Sequence, residues 1–149
     1  MSSIDLVIDQ EKQTVESGTT GTTWYEQRRE VVALMIDGTP RDLFTEFEEG
    51  MTVEAITIDS PAGLDILRHS ATHVLAQAVQ DTFPDVNLGI GPFITDGFYY
   101  DFGNIDSVTP ELMRELEKKM KRIVKEGQLF VRRVISEDEA RVELADQPY

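Results

Sequence analysis

The apolar pattern changes period at Asp59-Ser60-Pro61, and that change constrains the fold more than any other feature of the chain. Before it, apolar residues recur with the period of two that suits half-buried strands; after it they recur at helical spacing. Ser60 is a good helix cap, and Pro61 suits the first helical position, where its missing N–H costs nothing. A domain boundary is therefore expected here, with residues 1–60 forming one domain and 61–149 a second. A chain of 149 residues suits two small domains or one medium one. With 40% hydrophobic residues it is too apolar to be disordered.

In the first region, Ile4–Ile8 begins an alternating strand, and Gln13-Thr14-Val15-Glu16 returns beside it as a hairpin. Gly18-Thr19-Thr20-Gly21 breaks the pattern, and Thr22 or Thr23 is expected to cap a short helix running through Trp24 to Gln27. Val31–Ile36 is apolar on both parities, as a strand buried on both faces would be. Asp37-Gly38 is a tight-turn signal, and Val53–Ile58 alternates cleanly. A small sheet wrapped on one helix points to a β-grasp, ubiquitin-like fold, which makes the whole chain α+β. Trp24, Tyr25, Phe44 and Phe47 are expected to pack this small domain.

Beyond Pro61, a helix is expected over 62–82, ended by Phe83-Pro84. Asn87 to Phe102 reads as two extended segments joined by Thr95-Asp96-Gly97. Thr109-Pro110-Glu111 opens a second helix, amphipathic through Leu112, Met113, Leu116, Met120, Ile123 and Val124 and ended by Gly127. Leu129 to Ile135 is a candidate strand, and Ser136-Glu137-Asp138-Glu139 is a capping box for a last helix.

Charge and composition exclude several functions. The net charge of -14 argues against the whole chain acting as a stand-alone nucleic-acid binder, since phosphate affinity comes from Lys and Arg. The charge is uneven: residues 1–60 hold 4 basic and 13 acidic side chains, whereas 114–133 hold 8 basic and 3 acidic. That basic stretch reads equally well as a face turned to nucleic acid and as a solvated helix face paired to its own glutamates. No cysteine is present, so disulfides, cysteine nucleophiles and thiolate metal sites are excluded. The start Met1-Ser2-Ser3-Ile4-Asp5 lacks a signal peptide's basic and apolar regions, and no run nears the ~20 apolar residues of a membrane span. A cytoplasmic protein without membrane partners is expected.

The two histidines, His69 and His73, stand four residues apart on the expected helix, so their side chains share a face. Leu67, Ala71, Val74 and Ala78 form the expected apolar stripe, with His69, His73, Ala76 and Gln80 opposite. Three roles fit the pair: surface histidines, half of a metal site, or general acid–base work on a hydrolytic water. A third metal ligand would have to be a carboxylate, and the glutamate of H-E-x-x-H is absent, which excludes a zinc protease of that type. No metal site is therefore assigned. Nor is there a phosphate-binding G-x-x-x-x-G-K-[ST] motif.

The surrounding residues narrow the choice. Gly63-Leu64-Asp65-Ile66-Leu67-Arg68-His69-Ser70-Ala71-Thr72-His73-Val74-Leu75-Ala76-Gln77-Ala78, then Gly89-Ile90-Gly91-Pro92 and Asp96-Gly97-Phe98-Tyr99-Tyr100-Asp101-Phe102, closely resemble the threonyl-tRNA synthetase family. The match is to the start of the family's editing domain, which is similar to that of alanyl-tRNA synthetases, and it continues through Ser136-Glu137-Asp138-Glu139-Ala140-Arg141. Residues 1–60 resemble the family's leading TGS domain, a β-grasp module. The resemblance implies that His69 and His73 are the first two members of a site hydrolysing serine wrongly attached to threonine tRNA, with Tyr100 lining the same pocket. The family's remaining site residues, a cysteine, a histidine and a lysine, lie further along and are absent here.

The resemblance thus implies an incomplete α+β editing domain, interrupted near Gln147-Pro148-Tyr149 and inactive alone. The synthetic core with its ATP, Mg and Zn is absent, as is the anticodon-binding domain; the whole enzyme would be a homodimer. An incomplete second domain should leave apolar surface uncovered, favouring association with another copy or disorder near the terminus. A second function class fits the first region alone, because TGS domains also occur in GTPases and stringent-response enzymes. The chain would then be a stand-alone binding or regulatory module with structural histidines. Those families do not carry the H-x-x-x-H helix followed by Gly-Phe-Tyr-Tyr-Asp. Translation past Tyr149 is expected to reveal the missing cysteine–histidine segment and a large synthetase core; a natural stop codon there would instead indicate a free-standing protein.

Overall fold

The chain opens with β1 (Ser3–Ile8) and β2 (Glu11–Glu16), antiparallel with Ile8 opposite Glu11. β2 begins earlier than the expected Gln13 because Asp9 and Gln10 make a two-residue turn, with φ of 48° and 70°. Such turns match strand twist but favour Asn or Gly, so two other residues here need support. The Asp9 carboxylate supplies it, accepting from Ala55 N–H at 2.9 Å, Tyr25 O–H at 3.1 Å and Arg28 Nη1 at 3.3 Å. The computed structural model describes residues 2–131 and 133–145; Gln147-Pro148-Tyr149, and Arg132 of the basic stretch, lie outside them.

A single helical turn follows, α1 (Gly21–Trp24), capped by Thr20, whose Oγ1 accepts from Thr23 N–H. It starts and ends earlier than the sequence suggests. A Cβ on Gly21 would stand 2.7 Å from Leu34 Cδ1 and 2.9 Å from the Leu43 carbonyl oxygen. The close approach that glycine permits is what places this turn over the sheet. β3 (Val31–Ile36) and β4 (Thr39–Arg41) pair through the Asp37-Gly38 turn, both residues at positive φ. Val31, Ala33, Leu34 and Ile36 of β3 are buried, Val32 and Met35 partly so, and a bulge lies between Val31 and Ala33.

β5 (Thr52–Thr57) is the central strand, parallel to β1 and antiparallel to β3, in the order β2-β1-β5-β3-β4. Asp37 fastens it too, since its Oδ1 accepts from Thr52 N–H at 3.0 Å. Leu6, Ile8, Val15, Tyr25, Val31, Leu34, Ile36, Phe47 and Val53 form the core beneath this sheet. Trp24, at the end of α1, and Phe44, both expected to pack, are 39% and 52% exposed.

Helix α2 (Pro61–Gln80) begins as predicted: Ser60 Oγ accepts from Gly63 N–H at 3.1 Å and donates to the Thr57 carbonyl at 2.6 Å. The chain divides into two compact units, the first reaching Leu67 and the second starting at Arg68. Among the described residues no helix is long and apolar enough to cross a membrane.

The second unit continues with two short ribbons. β6 (Asn87–Leu88) pairs with β9 (Phe102–Gly103), and β7 (Phe93–Ile94) pairs with β8 (Gly97–Phe98). α3 (Pro110–Glu126) is capped by Thr109 and ended by Gly127 at φ 63°, and α4 (Glu137–Glu143) carries the expected Ser136–Glu139 capping box. Ala78, Val79, Val86, Leu116 and Ile123 form the core, flanked by Val74, Leu75, Phe83, Phe102, Leu112 and Met120. Met113 and Val124 are exposed, so the buried stripe of α3 is narrower than its composition suggests.

The candidate strand 129–135 forms no ladder among the described residues, and a strand exists only through a paired neighbour. Leu129, Phe130, Val131, Val134, Val142 and Leu144 are all more than half exposed.

Leu34 is fully buried, so Leu34→Ala is expected to cost about 2–5 kcal/mol of stability by urea unfolding. Gly63→Ala is expected to destabilise as well, because a Cβ there would overlap the Thr57 carbonyl. Gly38→Ala, where a Cβ meets nothing within 4 Å, should show only the smaller cost of its positive φ.

Candidate active site

Helix α2 brings His69 and His73 together: their Nε2 atoms are 3.0 Å apart, with ring centroids at 4.8 Å and planes at 67°. At that distance one imidazole donates an N–H and the other accepts, so the pair shares a proton and cannot present two Nε2–H groups to each other. The rotation of the helix differs from the expected one. Thr72, Ala76, Ala78 and Val79 are buried and Leu67 is 46% exposed, so Ala76 belongs to the core face. The histidines therefore border the buried face and do not lie opposite it. Thr72, fully buried between them in sequence, satisfies its hydroxyl by donating to the His69 carbonyl at 2.7 Å.

Two phenyl rings flank the imidazoles. Phe93 of β7 meets His69 edge-on at 6.1 Å, and Phe130 meets His73 edge-on at 6.0 Å. Gln77, one turn beyond His73, donates to Gln128 Oε1 at 3.0 Å, tethering the segment that carries Phe130 to the histidine helix. Sequence reading missed both rings. Phe93 sat in a segment read only for its turns, and Phe130 in a candidate strand whose facing direction the sequence leaves open.

Partial burial, and secondarily the neighbouring His69, hold the His73 imidazole below its ordinary pKa. His73 is accordingly neutral at neutral pH, with a lone pair for a proton. Two such nitrogens in contact can accept a proton from water and return one to a leaving oxygen. Among the described residues no three His, Cys, Asp or Glu side chains are grouped to hold a metal ion.

Tyr100 belongs to the same unit as the histidines. Its ring stacks on Phe102 at 4.6 Å and 7°, and lies against Gly91, where a Cβ would collide with it. In the basic stretch, Arg114, Lys119, Lys121 and Arg122 pair with Glu111, Glu115, Glu117 and Glu126. Lys119 also donates to Thr82 Oγ1 at 2.8 Å, joining α3 to the end of α2. Much of the positive charge is therefore spent on the helix's own carboxylates.

Comparison with known proteins gives the wider frame. No protein-family model matches the chain. A threonine--tRNA ligase from Cutibacterium acnes is 62% identical over 137 residues, 92% of this chain and 20% of that protein. One from Paenarthrobacter aurescens is 51% identical over 98% of this chain and 22% of its own length. One from Streptomyces coelicolor is 46% identical, covering 100% of this chain and 23% of that protein. The chain is homologous to a part of threonine--tRNA ligase. It spans about a fifth of the length of these curated relatives.

In a histidine NMR titration of the chain, the His73 midpoint is expected below about 6.5, the ordinary imidazole value. His69→Gln should raise that midpoint by removing the neighbouring charge, yet leave it below the ordinary value, since burial is the larger cause.

Proposed function

We propose that the chain is the N-terminal region of a threonine--tRNA ligase, contributing to tRNA recognition and to hydrolytic removal of serine from mischarged threonine tRNA. The observation that carries this reading is the 3.0 Å imidazole pair, set in a sequence matched almost throughout by threonine--tRNA ligases. The sheet order β2-β1-β5-β3-β4, with its parallel β1–β5 pair, supports a β-grasp TGS domain over 1–60. The histidine helix, the short ribbons and the uncovered apolar residues support a partial editing domain over 61–149. In this reading ATP, Mg and Zn serve the synthetic core outside this chain, and the whole enzyme is a cytoplasmic homodimer.

The chemistry follows from the pair. Hydrolysis of an aminoacyl ester needs a water deprotonated beside the carbonyl and a proton for the departing ribose oxygen. Neutral His73 is suited to the first task, and its shared proton with His69 gives a route for the second. Tyr100 is assigned to the substrate pocket, where its ring, fixed by Phe102 and Gly91, would border the site. Selectivity explains why such a site is needed. A single methyl is worth only ~1–3 kcal/mol in a pocket, too little for a synthetic site to reject serine to the ~10⁴–10⁵ level. A second site that admits the smaller amino acid closes the gap.

In the full-length enzyme, His73→Ala is expected to leave threonine charging nearly intact while seryl-tRNA accumulates, measured by parallel aminoacylation and deacylation assays. The 149-residue chain alone should show no measurable deacylation. Robust deacylation by the chain, or unchanged editing in the full-length variant, would overturn the assignment.

A further inference from the structure

Neither Phe93 nor Phe130 is part of the hydrophobic core of its unit. Phe93 is 42% exposed and Phe130 60% exposed, and the ring each one packs against is an imidazole of the histidine pair. Phe130 is nevertheless held in place, because Gln128 is bonded to Gln77 on the histidine face of α2 and to Glu126 at 3.0 Å. The left-handed Gly127 turns the chain there to bring that segment back along the helix.

This inference rests on the editing reading, which dictates what must lie beside the imidazoles. The ester to be hydrolysed hangs on the ribose of the terminal tRNA nucleotide. With the carbonyl at the histidines, the base on that same ribose lies within one sugar's length of them. A flat apolar ring fits a nucleobase face, whereas the seryl hydroxyl gains nothing from it. Aromatic side chains are a common means of holding unpaired bases, and they do so with little dependence on base identity.

We propose that Phe130, tethered through Gln128 to Gln77, is a binding residue that stacks on the nucleobase of the terminal tRNA nucleotide, with Phe93 bordering the same place. The interaction orients the ester and forms before the chemical step, so it belongs to substrate binding.

The test is steady-state deacylation of seryl-tRNA by the full-length enzyme. Phe130→Leu should raise KM about tenfold or more, the scale of one base–aromatic stack, with kcat little changed. Phe130→Trp should retain or lower KM, which separates loss of stacking from misfolding. Seryl-tRNA with an abasic terminal nucleotide should show the raised KM with the unaltered enzyme, and Phe130→Leu should add nothing further. An unchanged KM in Phe130→Leu would overturn the proposal. So would a fall in kcat with an upward shift of the acidic limb of the pH profile, which would make Phe130 a desolvating wall for His73. If His73→Ala abolishes editing while Phe130→Leu leaves KM unchanged, the stacking inference fails and the editing reading stands. If His73→Ala edits normally, the editing reading itself fails.

Discussion

Burial of Thr72, Ala76 and Val79 fixes the rotation of α2 about its axis, and the rest of the candidate site depends on that rotation. Val79 packs with Val86, Leu116 and Ile123, so a loop and α3 both grip the same helix face. Full burial of each such aliphatic side chain contributes on the order of 1.5–3 kcal/mol, more than a surface hydrogen bond can offset. The helix cannot turn to bury its histidines without exposing that face. His69 and His73 are thus held at the border between core and solvent, both exposed, with His73 partly desolvated.

That border position sets the chemistry. A fully solvated imidazole pair would titrate near its ordinary value and have no fixed partner. A fully buried pair would be closed to substrate. Here burial and the like-charged neighbour both disfavour the protonated form of His73, while the 3.0 Å contact keeps one proton shared between the rings. The first unit makes a comparable use of a single acidic group. Asp9 sits in a turn that its backbone conformation disfavours, and its carboxylate ties that turn to the central strand, Tyr25 and Arg28.

Electrostatics across the chain are less concentrated than its composition suggests. The basic helix α3 meets its positive charges largely with i,i+3 and i,i+4 glutamates, and exposed pairs of this kind contribute little to stability. Lys119 is the exception in position, since it reaches the end of α2 and so belongs to the packing that orients the histidine helix. Sequence similarity to threonine--tRNA ligases extends over both units, including the parts with no candidate chemistry.

Much was decided by the sequence itself, wherever the signal is local. Ser60-Pro61, Thr109-Pro110, Gly127 and the Ser136–Glu139 box set helix ends because a cap satisfies backbone groups within a few residues. The Asp37-Gly38 hairpin and the spacing of the histidines were legible for the same reason. Tertiary structure decided what local signals cannot carry. The Asp9 carboxylate of the Asp9-Gln10 turn is held by Ala55, Tyr25 and Arg28, and the 129–135 segment finds no strand to pair with among the described residues. Which side of α2 is buried followed from packing against Val86 and the more distant α3, so Ala76 went inward and Leu67 stayed out. The phenyl rings beside the histidines come from two further segments, and their packing onto one helix brings the four side chains together.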